Sequence, residues 1–218
     1  MTEKPKDKVW DDLHRRYKEK DWIDKPNLFA QEVLKYFPDR ARVLELGAGQ
    51  GQDTRFFAEN GHEVVSTDIS DLALEESQSK LTPELADKVR LLKLNLEDDL
   101  PFEDGEFDVV YAHLSIHYFD EETTQRIIQE MHRVLRGGGV VAILCNSTSD
   151  PEYDSGEAIE PNYFLIDGKK KRYFSVESLE RLMGKYKKIL LDNSGKTHKD
   201  EAKGVANLIR FVGSKSEK

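Results

Sequence analysis

The chain has 218 residues, 38% of them hydrophobic and 34% charged, with a formal net charge of −9. That length supports one sizeable core and is short for two full domains, while the acidic balance argues against broad nucleic-acid binding, which needs clustered Lys and Arg. A single cysteine, Cys145, excludes an intrachain disulfide and fits a reducing compartment. Met1–Trp10 lacks the apolar centre of a signal peptide, and Val140–Cys145 is far shorter than the ~20 residues of a membrane span. A soluble cytoplasmic protein is expected.

In chain order, the ends (1–7 and 214–218) read as frayed. A helix is predicted over 8–19 and another over 27–36, the second carrying the stripe Leu28, Val33, Leu34, Phe37 and ending at Pro38. Arg42–Leu46 reads as a strand, Gly47–Gly51 as a glycine loop and Asp53–Asn60 as a helix stopped by Gly61. A strand over 62–67, a helix over 71–80 and strands over 89–94 and 107–111 follow. Glu121–Leu135 is a long helix closed by Gly137–Gly139, and Val140–Cys145 a fifth strand. Alternating strands and helices predict a doubly wound, mostly parallel sheet covered on both faces. Residues 147–171 show no clean period and read as a long functional loop. A helix over 175–183, with Ser175 as N-cap, precedes two strands over 186–192 and 205–213 that pair as a hairpin. The organisation expected is one domain: a helical cover over 1–37, a ligand-binding core over 38–146, a lid over 147–174 and a C-terminal helix with the last strands over 175–213.

The strongest local signal is Glu45-Leu46-Gly47-Ala48-Gly49-Gln50-Gly51, a strand running into three glycines before a helix. Glycine lets the backbone turn tightly and lets a ligand come close, and the helix start beyond it favours a polar or anionic group. The spacing fits neither the dinucleotide fingerprint, because residue 52 is Gln, nor a P-loop. Asp68 ends the second strand about 20 residues on, where an acidic side chain binds ribose hydroxyls; capping the next helix is its structural alternative.

These residues resemble the first motif of class I S-adenosylmethionine (SAM)-dependent methyltransferases. Asn95-Leu96-Glu97, Leu100-Pro101-Phe102 with Phe107-Asp108-Val109-Val110, and Arg133-Val134-Leu135-Arg136-Gly137-Gly138-Gly139 resemble the family's later motifs, in order, over about 40–146. The resemblance implies a seven-stranded Rossmann-like sheet whose last-placed strand is antiparallel, and SAM as cofactor. It implies that Glu45, Gly47, Ala48, Gly49 and Gly51 hold the methionine moiety and Asp68 the ribose. Ile69, Asn95, Leu96 and Glu97 would lie against adenine, with Asn95 standing where the family often has Asp, and His113 near the cofactor. The lead-in Trp10…Tyr17…Trp22…Pro26 is similar to that of the tellurite and thiopurine methyltransferase group, in which an N-terminal helix covers the cofactor.

On the acceptor side, Tyr17, Trp22, His117, Tyr118, Tyr153 and Tyr163 are candidate contacts, and His113 and His117 candidate general bases. Core packing is the bland alternative for each. His113 and His117 have the spacing of the zinc motif H-E-x-x-H, but Leu114 replaces its Glu and no third ligand stands out; no metal is expected. Lys169–Arg172 reads as a solvated turn between two strands or as a binder of an anionic substrate. The function expected is methyl transfer to a small molecule by a monomer or homodimer. A methyltransferase acting on RNA or protein, a non-catalytic SAM-binding protein and a nucleotide-dependent dehydrogenase are the rivals.

Overall fold

A computed structural model describes residues 6–20, 22–198 and 207–217. The proposed ends at 1–5 and 218, and the start of the last expected strand at 205–206, lie outside them. Seven strands form one sheet: β1 (Arg42–Leu46), β2 (Glu63–Asp68), β3 (Val89–Lys93), β4 (Phe107–His113), β5 (Leu135–Cys145), β9 (Tyr186–Gly195) and β10 (Leu208–Lys215), in the order β3-β2-β1-β4-β5-β10-β9. β1 pairs in parallel with β2 and β4, β3 with β2 and β5 with β4. β10 is antiparallel to both neighbours, as expected of the last-placed strand.

Alternation along each strand divides the core into two layers. Leu44 and Leu46 of β1 join Val110 and Ala112 of β4 under α6 (Glu121–Val134). Val43, Val109 and Tyr111 face the other way, against Phe29, Ala30 and Val33 of α2 (Leu28–Val33) and Phe57 and Ala58 of α3 (Gln52–Glu59). α6 buries Thr124, Ile127, Ile128, Met131 and Val134, the spacing of one helical face. Its N-cap, Asp120, accepts the Thr123 amide at 2.8 Å, and Glu121 and Glu122 sit in the first turn, where the helix dipole favours anions. α7 (Val176–Leu182) starts with a reciprocal Ser175/Ser178 capping box.

The differences from the sequence reading are local. Between α6 and β5 the chain is extended from Leu135 onward, so the three glycines belong to a strand entrance and not to a helix stop. A register shift lies between the Phe107 and Val109 pairings. A short helix α5 (Pro83–Ala86) follows α4 (Asp71–Ser79). The carboxyl end is tighter than expected: β10 runs to Lys215, whose ammonium donates to the carbonyls of His132 and Leu135, each at 2.6 Å.

The stretch 147–171 is not a structureless loop. It holds a second, three-stranded antiparallel sheet of β6 (Glu157–Glu160), β7 (Tyr163–Ile166) and β8 (Lys169–Arg172). Asp167 (φ 48°) and Gly168 (φ 73°) form the two-residue turn between β7 and β8, with both residues in the left-handed region as a type I′ hairpin requires. The basic run Lys169–Arg172 is therefore a strand. Lys171 pairs with Glu152 at 2.6 Å. The buried Arg172 pairs with Glu160, donates to the Phe119 carbonyl and stacks 4.9 Å over the Tyr163 ring, bracing this sheet against the segment after β4.

Candidate functional site

A cleft of about 400 Å³ opens at the carboxyl ends of β1, β2, β3 and β4, where ligands bind in open parallel sheets. Its floor is Gly47, Ala48 and Gly49 after β1, with Asp68 at the end of β2 and Ile69 beyond it. Leu94–Glu97 follow β3 along the same wall, and His113 ends β4 with Leu114 and Ser115 after it. α1 (Lys6–Tyr17) closes one side with Trp10, Leu13, His14 and Tyr17, which share a helical face at i, i+3, i+4 and i+7. Trp22, Tyr118, Phe119 and Tyr163 add aromatic wall, and Lys169 and Lys170 of β8 stand at the rim.

The glycine loop has the backbone its sequence implies. Gly47, Gly49 and Gly51 all have positive φ, of 71°, 56° and 75°, where other residues are strained. A Cβ on Gly47 would stand 2.5 Å from that of Ser115, and one on Gly51 2.9 Å from that of Ser77. Gly51 thus packs the loop onto α4 and does not line the cleft. Asp68 ties the loop to β2: one carboxylate oxygen accepts the Gly49 amide at 2.8 Å, the other the Ser70 amide at 2.9 Å. Helix α4 is capped by Ser70, which accepts from the Ala73 amide, so Asp68 is left to the loop and the cleft.

Of the predicted cofactor residues, Gly47, Ala48, Gly49, Asp68, Ile69, Asn95, Leu96, Glu97 and His113 line the cleft; Glu45 and Gly51 do not. Glu45 points to the other face of the sheet, where its carboxyl accepts the Thr54 hydroxyl at 2.6 Å, and Thr54 meets the Ser66 hydroxyl at 2.8 Å. Of the predicted acceptor residues, Tyr17, Trp22, Tyr118 and Tyr163 line the cleft, whereas His117 and Tyr153 do not. His117 is buried against the Tyr118 ring, 4.3 Å between centroids. Tyr153 packs on Phe164 and Tyr173 and donates to Asn162. Trp10 of the aromatic lead-in also lines the cleft, as do His14 and Ser115, which the sequence reading did not name. An imidazole on the otherwise apolar face of α1 was the available signal for His14; nothing in the sequence marked Ser115.

Burial raises the Glu45 carboxyl well above the ordinary carboxylate range, and the nearby Asp53 charge adds to the effect. A raised folded-state value means that the folded chain binds the proton more tightly than the unfolded one. That stabilisation is complete below the unfolded value, about 4.3, and is lost as pH rises through the raised value. Glu45→Gln keeps the shape and the acceptor for Thr54 without the titration. Its melting temperature is expected to exceed that of the unsubstituted protein by an amount that grows from pH 5 to pH 8; a constant or shrinking difference refutes the assignment.

In the cleft, burial holds the His14 imidazole below its ordinary value, with Asp68 and Asp11 opposing the shift. Burial pushes the Tyr118 phenol well up and that of Tyr163 up to about 12. These hydroxyls stay protonated at neutral pH.

The fold and this cleft define the class I SAM-dependent methyltransferase architecture. Residues 44–143 match the methyltransferase domain family. An uncharacterized methyltransferase of Synechocystis sp. is 38% identical over 103 residues, 47% of this chain and 46% of that one. The malonyl-[acyl-carrier protein] O-methyltransferase of Enterobacter lignolyticus is 31% identical over 155 residues, 69% of this chain and 57% of that one. The chain thus spans about half the length of the curated relatives it matches. Among solved structures, the Burkholderia thailandensis 1,6-didemethyltoxoflavin-N1-methyltransferase, bound to its substrate and S-adenosylhomocysteine, superposes with a TM-score of 0.74 at 16% identity, covering 96% of this chain and 85% of that one. That likeness is one of fold.

Proposed function

We propose that the protein is a SAM-dependent methyltransferase acting on a small-molecule acceptor in the cytoplasm. The observation that carries this reading is the meeting of Asp68 with the Gly47–Gly49 turn in one cleft at the carboxyl ends of β1 and β2. The residues present fit the cofactor. The glycine floor admits close approach, and Asp68 offers carboxylate lone pairs to ribose hydroxyls. Leu94, Leu96 and Ile69 give an apolar bed for adenine. Two buried polar atoms on the cleft-lining residues, His14 Nδ1 and Ser115 Oγ, have no hydrogen-bond partner among the described residues.

SAM supplies an electrophilic methyl whose leaving group is a neutral thioether. Little charge then needs stabilising at the reacting centre, and the chain's task is to align the acceptor and exclude water. α1 and the β7–β8 hairpin both wall the cleft where this happens. Trp10 meets Tyr118 edge-on at 4.5 Å and Tyr17 meets Trp22 at 5.1 Å, which makes an aromatic wall sized for a flat or apolar acceptor. Because its phenol stays protonated, Tyr118 orients the acceptor and does not take its proton. For an oxygen or nitrogen acceptor, His113 is the base at the cleft. A small-molecule substrate is named for the toxoflavin methyltransferase of similar fold, a malonyl group borne by acyl-carrier protein is named for the Enterobacter relative, and the single free cysteine, buried Cys145, suits a reducing compartment.

Titration calorimetry on the intact protein is expected to register binding of both SAM and S-adenosylhomocysteine. Labelled methyl from SAM should then appear in members of a small-molecule panel. The absence of heat with either compound would end the proposal.

A further inference from the structure

The cleft is closed by a helix that lies outside the matched segment 44–143. α1 is fastened across the glycine loop and α4 at three points. The Ser70 hydroxyl donates to Asp11 at 2.6 Å, the Gln50 amide donates to the His14 carbonyl at 2.9 Å, and Lys18 pairs with Glu76 at 2.7 Å. This places the His14 side chain, only 9% exposed, directly over Gly49: its Cε1 is 3.2 Å from where a Cβ on that glycine would stand. Its flank is covered by Tyr17, 6.4 Å between ring centroids. The imidazole thus lies beside the carboxylate that grips the Gly49 amide.

Nδ1 of this ring is buried and has no hydrogen-bond partner among the described residues. A buried polar atom without a partner is costly, and such atoms in folded proteins generally meet a partner of some kind. Asp11 is engaged by Ser70, and Gln50 reaches the His14 backbone and not its ring. The ring borders the cleft floor at Gly49, so a ligand bound against Gly49 and Asp68 would be its neighbour.

We propose that His14 is a ligand-binding residue whose Nδ1 accepts a hydrogen bond from a ribose hydroxyl of the adenosyl ligand, so that Asp68 from below and His14 from the covering helix share the diol. This rests on the reading of the cleft as a SAM site. A diol carries two hydroxyl protons. Asp68, already accepting two amides, takes one, and the neutral imidazole takes the other. The cover helix is thereby a recognition element as well as a wall, and ligand binding and α1 docking strengthen each other.

The test is calorimetry with S-adenosylhomocysteine and its 2′-deoxy and 3′-deoxy analogues on the full chain and on His14→Phe and His14→Asn, with melting curves taken without ligand. His14→Phe keeps a flat ring and removes the acceptor; it should bind S-adenosylhomocysteine about fivefold to tenfold more weakly. His14→Asn, whose amide oxygen falls near the Nδ1 position, should recover binding to within about twofold of the unsubstituted protein. With one of the two deoxy analogues, the unsubstituted protein and His14→Phe should bind alike, a result that loss of packing alone would not give. Equal affinity of His14→Phe and the unsubstituted protein for S-adenosylhomocysteine overturns the inference and leaves the SAM reading standing. A loss that persists with both deoxy analogues removes the ribose contact. Should His14→Phe fail to fold, His14→Leu against His14→Asn makes the same comparison. No binding by the unsubstituted protein sinks both readings together.

Discussion

Asp68→Ala is expected to weaken S-adenosylhomocysteine binding about 100-fold. The carboxylate has two duties, and alanine ends both. It anchors the glycine turn through the Gly49 and Ser70 amides at 2.8 and 2.9 Å, and it presents its remaining lone pairs to the cleft. Hydrogen bonds to a charged group contribute about 1.5–3 kcal/mol each, and about 1.4 kcal/mol is a factor of ten, so the one lost ligand contact accounts for roughly tenfold to a hundredfold. The loop should loosen as well, because Gly49 at φ 56° has no comparable tether. Asp68→Asn keeps one acceptor oxygen and should fall between. Binding by Asp68→Ala within threefold of the unsubstituted protein would show that the carboxylate is not a ligand contact.

The largest stability effect is expected at Asp53, a carboxylate 2% exposed in the first turn of α3. It accepts the Asn27 backbone amide at 2.7 Å, the Asn27 side-chain amide at 2.9 Å and the Tyr111 hydroxyl at 2.7 Å. It therefore fastens the start of α2 and the centre of β4 to α3. Asp53→Ala leaves the Tyr111 hydroxyl stranded in a fully buried residue, at about 1–3 kcal/mol for each donor left without a partner. A total near 3 kcal/mol corresponds to a fall of roughly 10 °C in melting temperature for a chain of this size. Asp53→Asn, retaining an acceptor for one of the donors, should lose less. Equal melting temperatures for Asp53→Ala and the unsubstituted protein would mean that these bonds hold nothing together.

Asp53 also illustrates which parts of the molecule could be read from residues alone. The parallel core was legible because its strands are short apolar runs, and because glycines at 47, 49 and 51 admit few backbones. Asp68 was legible through its distance from those glycines. Partnerships across long separations were not: nothing local tells that Asn27 meets Asp53 or that Asp11 meets Ser70. The second sheet escaped for a different reason. Lys169–Arg172 has no apolar alternation, and its strand is held by pairing with β7 and by the Arg172 contacts. The Asp167–Gly168 dipeptide was the one sign of it, a two-residue hairpin turn in plain view. Glu45 shows the converse limit. Its position in the motif pointed to the cofactor, but strand alternation turned its side chain toward Thr54.

The place of β10 in the sheet has a consequence for how the chain is made. This strand, the last in sequence among the described residues, joins β5 to β9. While a nascent chain emerges amino end first, the parallel strands β1 to β5 can associate, but the outer flank of β5 stays open until residues 208–215 have left the ribosome. Val140–Cys145 is an almost wholly apolar, buried segment, and an open flank of that kind is a template for pairing with another molecule. Shortening the chain to before Leu208 should thus show itself first as poor recovery of soluble protein, ahead of any effect on the cleft.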